Sequence, residues 1–497
     1  MARVTRAPRS ATALAALALG ALALAAPPAA AKVEIATTPG LRPSFTRGAR
    51  DYVSRCVPGH AIEVAVHAGG GDRVKVAGTG ERGGRFERKV RRSTGERFEI
   101  RVDWGEHTTT HHVRCLPLDF PSWEVERHGK AQADWYVIDP VKKQPQGYIA
   151  IFDARGTPVW WLYSSSWGPW DGKLLPDGNL AWARWWVDNF GVRDKAAYEV
   201  HRLDGSLVRT VRTVGNPTDT HDMQELPNGH YAAIAYRRRC CEDLSRYGGP
   251  DHAEVFDGEI QELTPDGRLV WRWNSHGRIP LSWTRKEWWA LQVKTVPLQS
   301  PLENAYDVVH INSVQPDGDG FIVSARHLDS VFRIDRATKR IDWKLGGKHV
   351  PGKSLKVVGK HPSHLLGGQH DARLWKDGTL TVHDNASWTR NGPAADRFEI
   401  DPTNRTARLL ERVRNPDVDY ETAIGSARKL PGGDWVVSWG PSPEVTEQRE
   451  SGAIVRRLRF KDRFSYRAVP VLPGELNPAA LRRGMDRMAA TRRELRR

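Results

Sequence analysis

The feature that most constrains this chain is a short turn that recurs between apolar runs. Each copy places Asp, Asn or, once, Gly before a glycine, and these glycines are Gly178, Gly229, Gly318, Gly378 and Gly433. Such pairs supply the positive φ that tight turns between two strands require. Successive turns lie 51, 89, 60 and 55 residues apart. A repeat near 50 residues is typical of four-stranded propeller blades.

A second kind of hairpin alternates with the first and returns on an apolar or Trp-bearing strand. Its copies span residues 151–160, 200–208, 260–271, 331–343, 398–410 and, in degenerate form, 454–469. Two hairpins per repeat make one four-stranded unit, so six units predict a six-bladed β-propeller over residues 130–470. A strand at residues 135–137 is available to close the ring. The alternative, a stack of β-sandwiches, is disfavoured by the fixed period.

The segment before the repeats predicts a small β-sandwich-like domain over residues 45–118, because short alternating runs there are separated by glycine clusters. The fold class is therefore all-β. A disulfide between Cys56 and Cys115 would staple this domain. Cys240 and Cys241 are adjacent, and either a bond between them or two free thiols fits the sequence. The four cysteines form no CxxC pair and give no support to a zinc site.

The N-terminus has the composition of a signal peptide over residues 1–31. Arg3, Arg6 and Arg9 precede an Ala/Leu run at 11–26, and small residues at 29–31 predict cleavage near Ala31. A membrane anchor is the alternative, but the apolar run is about 16 residues and a spanning helix needs about 20. The sequence thus predicts an extracytoplasmic protein, secreted or in the cell envelope, that is not an integral membrane protein. The oxidising compartment would suit its cysteines.

The formal net charge is +16, but it is concentrated at the two ends of the chain. The first ten residues carry three arginines, and the basic tail at 477–497 carries a net charge of +5. Half of the excess charge therefore lies outside the repeats, which contain no basic stripe, and no nucleic-acid partner is expected. We expect the tail to be a solvated or frayed end; contact with an anionic envelope surface is the alternative.

Three histidines occupy the same place in three successive repeats. His221, His310 and His370 each precede the turn glycine of their repeat by eight residues. Such residues should meet at the central channel, and Arg326 follows on the strand that returns after His310. Three histidines can hold a metal, but an arginine among them opposes a cation and suits an anion. The set therefore predicts an anionic substrate with a nucleophilic or acid/base histidine, and no metal.

At these residues the chain resembles the bacterial arylsulfate sulfotransferases. The resemblance rests on THD…LPNG, VVHINSV, SARHLDSVFRID, WKLGG and QHDARLWKDGTLTVHDN, and it covers residues 120 to 465. It implies an exported six-bladed propeller that moves a sulfuryl group from an aryl sulfate to a phenol without a nucleotide donor or any cofactor. It also implies that His370 becomes sulfated, that His221, His310 and Arg326 hold the sulfuryl oxygens, and that Asn312 contacts the substrate.

Two further readings of the same residues stay open at this point. One is a sulfate-ester hydrolase on this site, and the other is a non-catalytic secreted propeller that binds anionic or aromatic ligands. A metal-dependent hydrolase ranks last, and a homodimer is left open. The chain departs from the family pattern in a Trp- and Pro-rich insertion at 278–306 and in the Cys240–Cys241 loop, which bear on the acceptor range.

Nine of the 20 tryptophans fall into two groups. Trp160, Trp271, Trp343 and Trp435 lie in predicted strands, where we expect blade packing. Five others lie in loops or in the insertion and could either wall an aryl pocket or pack: Trp167, Trp170, Trp283, Trp288 and Trp289.

Overall fold

The computed structural model describes residues 33–141, 147–164, 169–184, 196–298, 305–359, 366–388 and 392–494. The predicted signal peptide lies outside these residues. Seven strands come first: β1 (Glu34–Thr38), β2 (Asp51–Arg55), β3 (Ile62–Ala68), β4 (Arg73–Val76), β5 (Gly84–Val90), β6 (Arg97–Asp103) and β7 (Thr108–Leu116). They form two sheets, β1-β3-β5 and β2-β7-β6-β4, that share one apolar core. Cys56 and Cys115 are bonded within this core, as predicted.

The remaining strands form six further sheets. In chain order they are β8 (Trp123–Arg127), β9 (Trp135–Val141), β10 (Gly147–Asp153), β11 (Pro158–Ser164), β12 (Pro169–Leu174), β13 (Leu180–Arg184), β14 (Ala197–His201), β15 (Leu207–Val211), β16 (Thr218–Glu225), β17 (Tyr231–Glu242), β18 (Ala253–Leu263), β19 (Leu269–Asn274), β20 (Tyr306–Asp307), β21 (Ile311–Asp317), β22 (Gly320–Ala325), β23 (Ser330–Asp335), β24 (Ile341–Gly346), β25 (Lys356–Val358), β26 (His370–Leu374), β27 (Thr379–Asp384), β28 (Ala394–Asp401), β29 (Thr406–Val413), β30 (Ser426–Lys429), β31 (Trp435–Ser438), β32 (Glu444–Gln448), β33 (Ile454–Phe460) and β34 (Phe464–Val471).

Helices are few. They are α1 (Lys286–Thr295), α2 (Pro478–Glu494) and four single 3-10 turns at Ser245–Tyr247, Leu281–Trp283, Val296–Leu298 and Arg326–Leu328. None of the helices within the described residues is long and apolar enough to cross a membrane.

The six sheets are the blades of a propeller. Blades 2 to 6 are β12–β15, β16–β19, β21–β24, β26–β29 and β30–β33, and blade 1 is β34-β9-β10-β11. The innermost strands contact one another in the order β34, β12, β16, β21, β26 and β30, and β30 contacts β34 again. This closed ring of four-stranded blades confirms the predicted six-bladed propeller. The turn glycines confirm the repeat, because all five have positive φ, between 55° and 97°.

The ring closes by mixing strands from the two ends of the repeat region. The late strand β34 pairs antiparallel with β9, with Val469 opposite Val137, so the strand predicted at 135–137 does close the ring. A second closure adds β8 to the outer edge of blade 6, where Val125 lies opposite Leu458. Each closure ties residues more than 300 positions apart into one sheet.

One predicted hairpin was wrong. Residues 454–469 do not form the outer hairpin of the last blade, because β33 pairs with β32 and the chain then crosses to blade 1 as β34. Both strands alternate apolar residues around a short connection, as a hairpin would. Only the pairing partners distinguish the two arrangements.

The tail also differs from the expectation of a solvated end. Leu481, Met485 and Met488 of α2 are buried in the core that blade 1 builds. On the other side of the helix, Asp486 accepts from Arg97 at 2.9 Å and lies 3.0 Å from Arg114 of the N-terminal sheets. The spacing of three and four residues gives α2 an apolar face between its arginines. The helix therefore joins the N-terminal domain to the propeller.

Replacing the buried Met485 with alanine should lower the free energy of unfolding by about 2–5 kcal/mol, because the side chain fills a packed core position. Urea denaturation followed by intrinsic fluorescence measures the change. Arg487→Ala on the exposed face of α2 is the matched control and should change stability by less than about 0.5 kcal/mol. Equal stability of both variants would mean that α2 is not docked.

Candidate active site

The innermost strands are irregular where they face the channel. The antiparallel register shifts in five of the six, at Trp170/Lys173 of β12, Thr218/Met223 of β16, Ile311/Ser313 of β21, His370/Arg373 of β26 and Ser465/Ala468 of β34. Asp171, His310 and Asp371 have positive φ at or beside these shifts. A β-bulge bends the strand and re-aims its side chains, and bulges are frequent beside active sites.

The three predicted histidines come from these irregular segments of blades 3, 4 and 5. His221 lies in β16, His310 directly precedes β21, and His370 begins β26. The rings of His221 and His310 have centroids 4.8 Å apart, nearly perpendicular to each other. All three side chains are buried. The equal sequence offset therefore corresponds to equivalent places around one channel.

The hydrogen-bond partner of Nδ1 distinguishes His370 from the other two. Asp219 Oδ2 lies 2.9 Å from Nδ1 of His221, and Asp307 Oδ2 lies 2.5 Å from Nδ1 of His310. The partner of His370 is instead the amide of Asn385, with Oδ1 at 2.7 Å. Two histidines are thus paired with carboxylates and the third with a neutral group.

The tautomer of His370 follows from its surroundings. Asn385 Nδ2 donates to the carbonyl of Ile424 at 2.9 Å, so the amide oxygen faces His370 and accepts from Nδ1–H. The backbone N–H of Ile424 donates to Nε2 of His370 at 3.2 Å. Nε2 therefore carries the lone pair of a neutral imidazole.

Burial and charge keep His370 neutral. Desolvation is the largest cause that lowers its pKa well below the ordinary value, and the positive charge of Arg326 lowers the pKa further. The hydrogen bond to Asn385 opposes these effects only in part. Because a neutral imidazole is the nucleophilic form, His370 is available as a nucleophile at neutral pH.

The buried pair of Asp307 and His310 is best described as one neutral unit. Desolvation raises the pKa of Asp307 and lowers that of His310, since burial disfavours both charged forms. The short contact between Oδ2 and Nδ1 then shares one proton. In the neutral pair the second proton stays on Nε2 of His310, which makes that atom a hydrogen-bond donor.

Arg326 is held by an aromatic ring against its guanidinium and by hydrogen bonds from both terminal nitrogens. Its central carbon lies 4.1 Å from the ring centroid of Trp288, and Nη2 donates to the carbonyl of Thr422 at 2.8 Å. Nη1 donates to Nε2 of His327 at 3.1 Å. Burial lowers the pKa of Arg326 to about 10, so the group stays charged at neutral pH. Within the described residues Nε has no hydrogen-bond partner.

His327 completes the support of both groups. Its Nδ1 donates to the carbonyl of Asp307 at 2.5 Å, and its ring stacks on His310 with centroids 4.7 Å apart. Asp307, His310 and His327 place possible ligand atoms within 4.8 Å of one another, a spacing that a metal could bridge. Their present bonds and the adjacent guanidinium of Arg326 favour an anion at this place instead.

Asn312 lies beside the nucleophile candidate. Its Nδ2 donates to the carbonyl of Gln369, the residue before His370, at 2.7 Å. In the part of the chain that the structure describes, the buried Oδ1 has no partner. A buried amide oxygen without a partner is costly unless a ligand or water supplies a donor.

A buried network of charged side chains fills the channel next to these residues. Its members are Asp171, Lys173, Asp222, Asp371, Arg373, Arg428 and Arg467. Arg467 alone lies 2.5 Å from Asp171, 3.1 Å from Asp222 and 3.3 Å from Asp371. Asp222 and Asp371 directly follow His221 and His370, so the network fixes the backbone of two candidate residues.

The model of the arylsulfotransferase (ASST) family matches residues 192–461, more than half of the chain. The chain belongs to the arylsulfotransferase family. The match contains His221, His310, Arg326 and His370, and it supports sulfotransferase activity at the level of the family. The family implies an aryl sulfate donor and a phenol acceptor. No curated protein matches the chain.

Three solved structures show a distant resemblance to this chain. A protein of unknown function from Bacteroides caccae is 10% identical over 68% of this chain and 99% of its own, with a TM-score of 0.42. The Cps50 (Swd1) β-propeller domain of Myceliophteria thermophila is 14% identical over 68% and 89%, with a TM-score of 0.36. A catalytically inactive virginiamycin B lyase from Staphylococcus aureus is 8% identical over 68% and 99%, with a TM-score of 0.34. Likenesses this distant say nothing about what the chain binds.

Several residues of the site were missed in the sequence. Asp219 and Asp307 precede His221 and His310 by two and three positions, a local signal that was available. Asn385 follows His370 by 15 residues and reaches it only because β26 pairs with β27, where His383 lies opposite His370. His327 and Trp288 depend on packing between the insertion and blade 4.

The loop tryptophans of the chain are mostly packed. Trp170 stacks on Tyr466 with centroids 4.3 Å apart, and Trp283 and Trp289 are buried in the core beneath the insertion. Trp288 is also buried, but it packs against Arg326. Trp167 lies outside the described residues. Cys240 and Cys241, left open in the sequence, form a disulfide near the end of β17.

Arg467→Met should lower the free energy of unfolding by about 3–5 kcal/mol, because it removes the charge that three buried carboxylates share. Chemical denaturation measures the loss. Lys461→Met, on the exposed connection before the same strand, is the matched control and should stay within about 0.5 kcal/mol of the parent. A loss for Arg467→Met no larger than the control's would contradict the assigned role.

Proposed function

We propose that this chain transfers a sulfuryl group from an aryl sulfate to a phenolic acceptor by a ping-pong mechanism, with a sulfated His370 as intermediate. The observation that carries the proposal is the pairing of the three convergent histidines. The amide of Asn385 leaves Nε2 of His370 with a lone pair. The carboxylates beside His221 and His310 suit these two histidines to the role of proton donor instead.

In the first half-reaction Nε2 of His370 attacks sulfur, and the bond between sulfur and the aryl oxygen breaks. The electron pair of that bond leaves on the phenoxide, which takes a proton from Nε2 of His310 or His221. Nδ1–H of His370 stays bonded to Asn385 while the ring becomes positive. A phenol has a pKa near 10, so protonation of the leaving oxygen lowers the barrier at neutral pH.

In the second half-reaction the acceptor phenol gives its proton to the histidine, His310 or His221, that protonated the leaving oxygen. The oxygen of the acceptor phenol attacks sulfur. The bond between sulfur and nitrogen then breaks, and His370 becomes neutral again. Two transfers through one nucleophile give ping-pong kinetics.

The charges around the site favour this transfer. A sulfuryl group keeps its negative charge on peripheral oxygens, as a phosphoryl group does, so fixed donors are the main catalytic device. Arg326 supplies a planar cation whose Nε has no hydrogen-bond partner among the described residues, and the histidine pairs supply N–H donors. In this structure the N–H of Ile424 donates to Nε2 of His370. It is positioned to donate to a sulfuryl oxygen once the group is bound to Nε2. Ile424 has a φ of 55°, a strained value for a β-branched residue.

We further propose that the arylsulfotransferase works outside the cytoplasm after removal of residues 1–31 near Ala31. Its two disulfides, Cys56–Cys115 and Cys240–Cys241, suit an oxidising compartment. A reaction without a nucleotide donor also fits that location. We also propose domain bounds of 45–118 for the N-terminal β domain and 130–470 for the propeller.

Intact-protein mass after brief exposure to 4-nitrophenyl sulfate, without a phenol, tests the intermediate. We expect one added sulfuryl group that disappears in His370→Asn and discharges onto added phenol. Asn404→Asp, in an exposed turn of the same blade, should form the adduct normally. Release of nitrophenol into water at the same rate with and without phenol would identify a hydrolase. No adduct and no nitrophenol, even with phenol present, would leave the binding propeller as the function.

Asn385→Asp tests the assigned tautomer through pH dependence. Because the pKa of His370 is lowered, kcat/KM for the aryl sulfate should stay constant as pH falls to 6.5 and should decline only below it. A carboxylate at position 385 favours the imidazolium and should raise the pKa of His370. The neutral form is lost as pH falls through the raised pKa, so the acidic limb should move to higher pH. An unmoved limb would contradict the assignment, with Asn404→Asp as the control for added charge.

A further inference from the structure

We propose that Trp388 is the platform on which the aromatic ring of the donor, and then of the acceptor, stacks during sulfuryl transfer. This inference rests on the proposed function, because the ring has to lie next to a sulfuryl group held by Arg326. It adds the group that makes the site selective for aryl substrates.

A run of π-systems leads from the buried site to the surface. Arg326 packs on Trp288, and the ring of Trp288 meets the ring of Trp388 edge to face, with centroids 4.5 Å apart. Trp288 is 1% exposed, whereas Trp388 is 36% exposed. The outermost member of this run is therefore open to a ligand while the inner members are packed.

The side chain of Ser387, the residue before Trp388, donates to the same carbonyl as Arg326. Ser387 Oγ donates to the carbonyl of Thr422 at 3.2 Å, and Arg326 Nη2 donates to it at 2.8 Å. The N–H of Ser387 also donates to the carbonyl of Gly367 at 3.1 Å. These bonds fix Trp388 on the Arg326 side of blade 5.

Gly368 explains how Trp288 can lie so close to Ser387, the residue before Trp388. A Cβ on Gly368 would lie 2.3 Å from Ser387 Oγ and 3.2 Å from Trp288, and its φ is 64°. Glycine is thus required where the segment before His370 passes between Trp288 and Ser387. The nucleophile strand and the tryptophan pair are built together.

The chemistry of the exposed indole suits an aryl ligand. When the sulfuryl oxygens of an aryl sulfate are bound by the donors of the site, its aromatic ring lies outside that set of donors. The ring then lies toward Trp388, the exposed end of the run. Flat rings stack on tryptophan with a gain beyond the area they bury, and an alkyl group lacks that gain. In a ping-pong reaction the acceptor occupies the place of the departed phenol, so one platform serves both substrates.

The test compares Trp388→Ala with Trp375→Ala. Trp375 is 37% exposed and also lies in blade 5, at the turn between β26 and β27, so it controls for loss of an exposed indole. We expect kcat/KM for 4-nitrophenyl sulfate to fall about tenfold in Trp388→Ala and to stay unchanged in Trp375→Ala. Trp388→Phe should recover most of the loss, and 4-methylumbelliferyl sulfate, with a larger flat ring, should lose more than 4-nitrophenyl sulfate.

Binding separates this inference from the proposed function. In a His370→Asn background, which cannot form the adduct, calorimetric affinity for 4-nitrophenyl sulfate should fall by a similar factor when Trp388→Ala is added. If the parent chain forms no adduct but this loss of affinity is seen, the transferase fails and the platform stands. If the adduct forms and Trp388→Ala behaves as Trp375→Ala does in both assays, the platform is wrong. Absence of measurable aryl sulfate binding to His370→Asn would also overturn it.

Discussion

Arg467 joins the closing strand of the propeller to carboxylates of three other blades. It lies on β34, the late strand that completes blade 1, and contacts Asp171, Asp222 and Asp371 from blades 2, 3 and 5. A fully buried cation is stable only when its partners are in place, so ring closure and channel geometry depend on each other. Since Asp222 and Asp371 follow His221 and His370, the same interaction sets where two site histidines stand.

The three histidines are chemically identical in the sequence and differ only through their neighbours. A carboxylate beside Nδ1 supports a proton on Nε2. The Asn385 amide instead fixes the proton on Nδ1 and leaves Nε2 unprotonated. A nucleophile and two donors can therefore come from one residue type. The Ile424 backbone completes the distinction, because its carbonyl orients Asn385 and its N–H donates to the lone pair on Nε2 of His370.

The insertion contributes to the anion site as well as to its rim. Its helix α1 carries Trp288 onto the guanidinium of Arg326, and the segment that follows it delivers Asp307 to both His310 and His327. The sequence associated this insertion with the acceptor range. In the structure it also holds the cation that would bind the sulfuryl group, so changes there should affect chemistry and selectivity together.

The sequence by itself determined the blades, the family and the first disulfide. Turn glycines, alternating strands and the offset of eight residues are local properties, because φ preference and side-chain direction depend on neighbours along the chain. They were enough to bring His221, His310, His370 and Arg326 to one channel. Only the tertiary structure decided that 454–469 is not a hairpin, that α2 docks through Met485, and that Asn385 partners His370. These depend on which strand pairs with which and on packing between distant segments, and a one-dimensional pattern does not encode either.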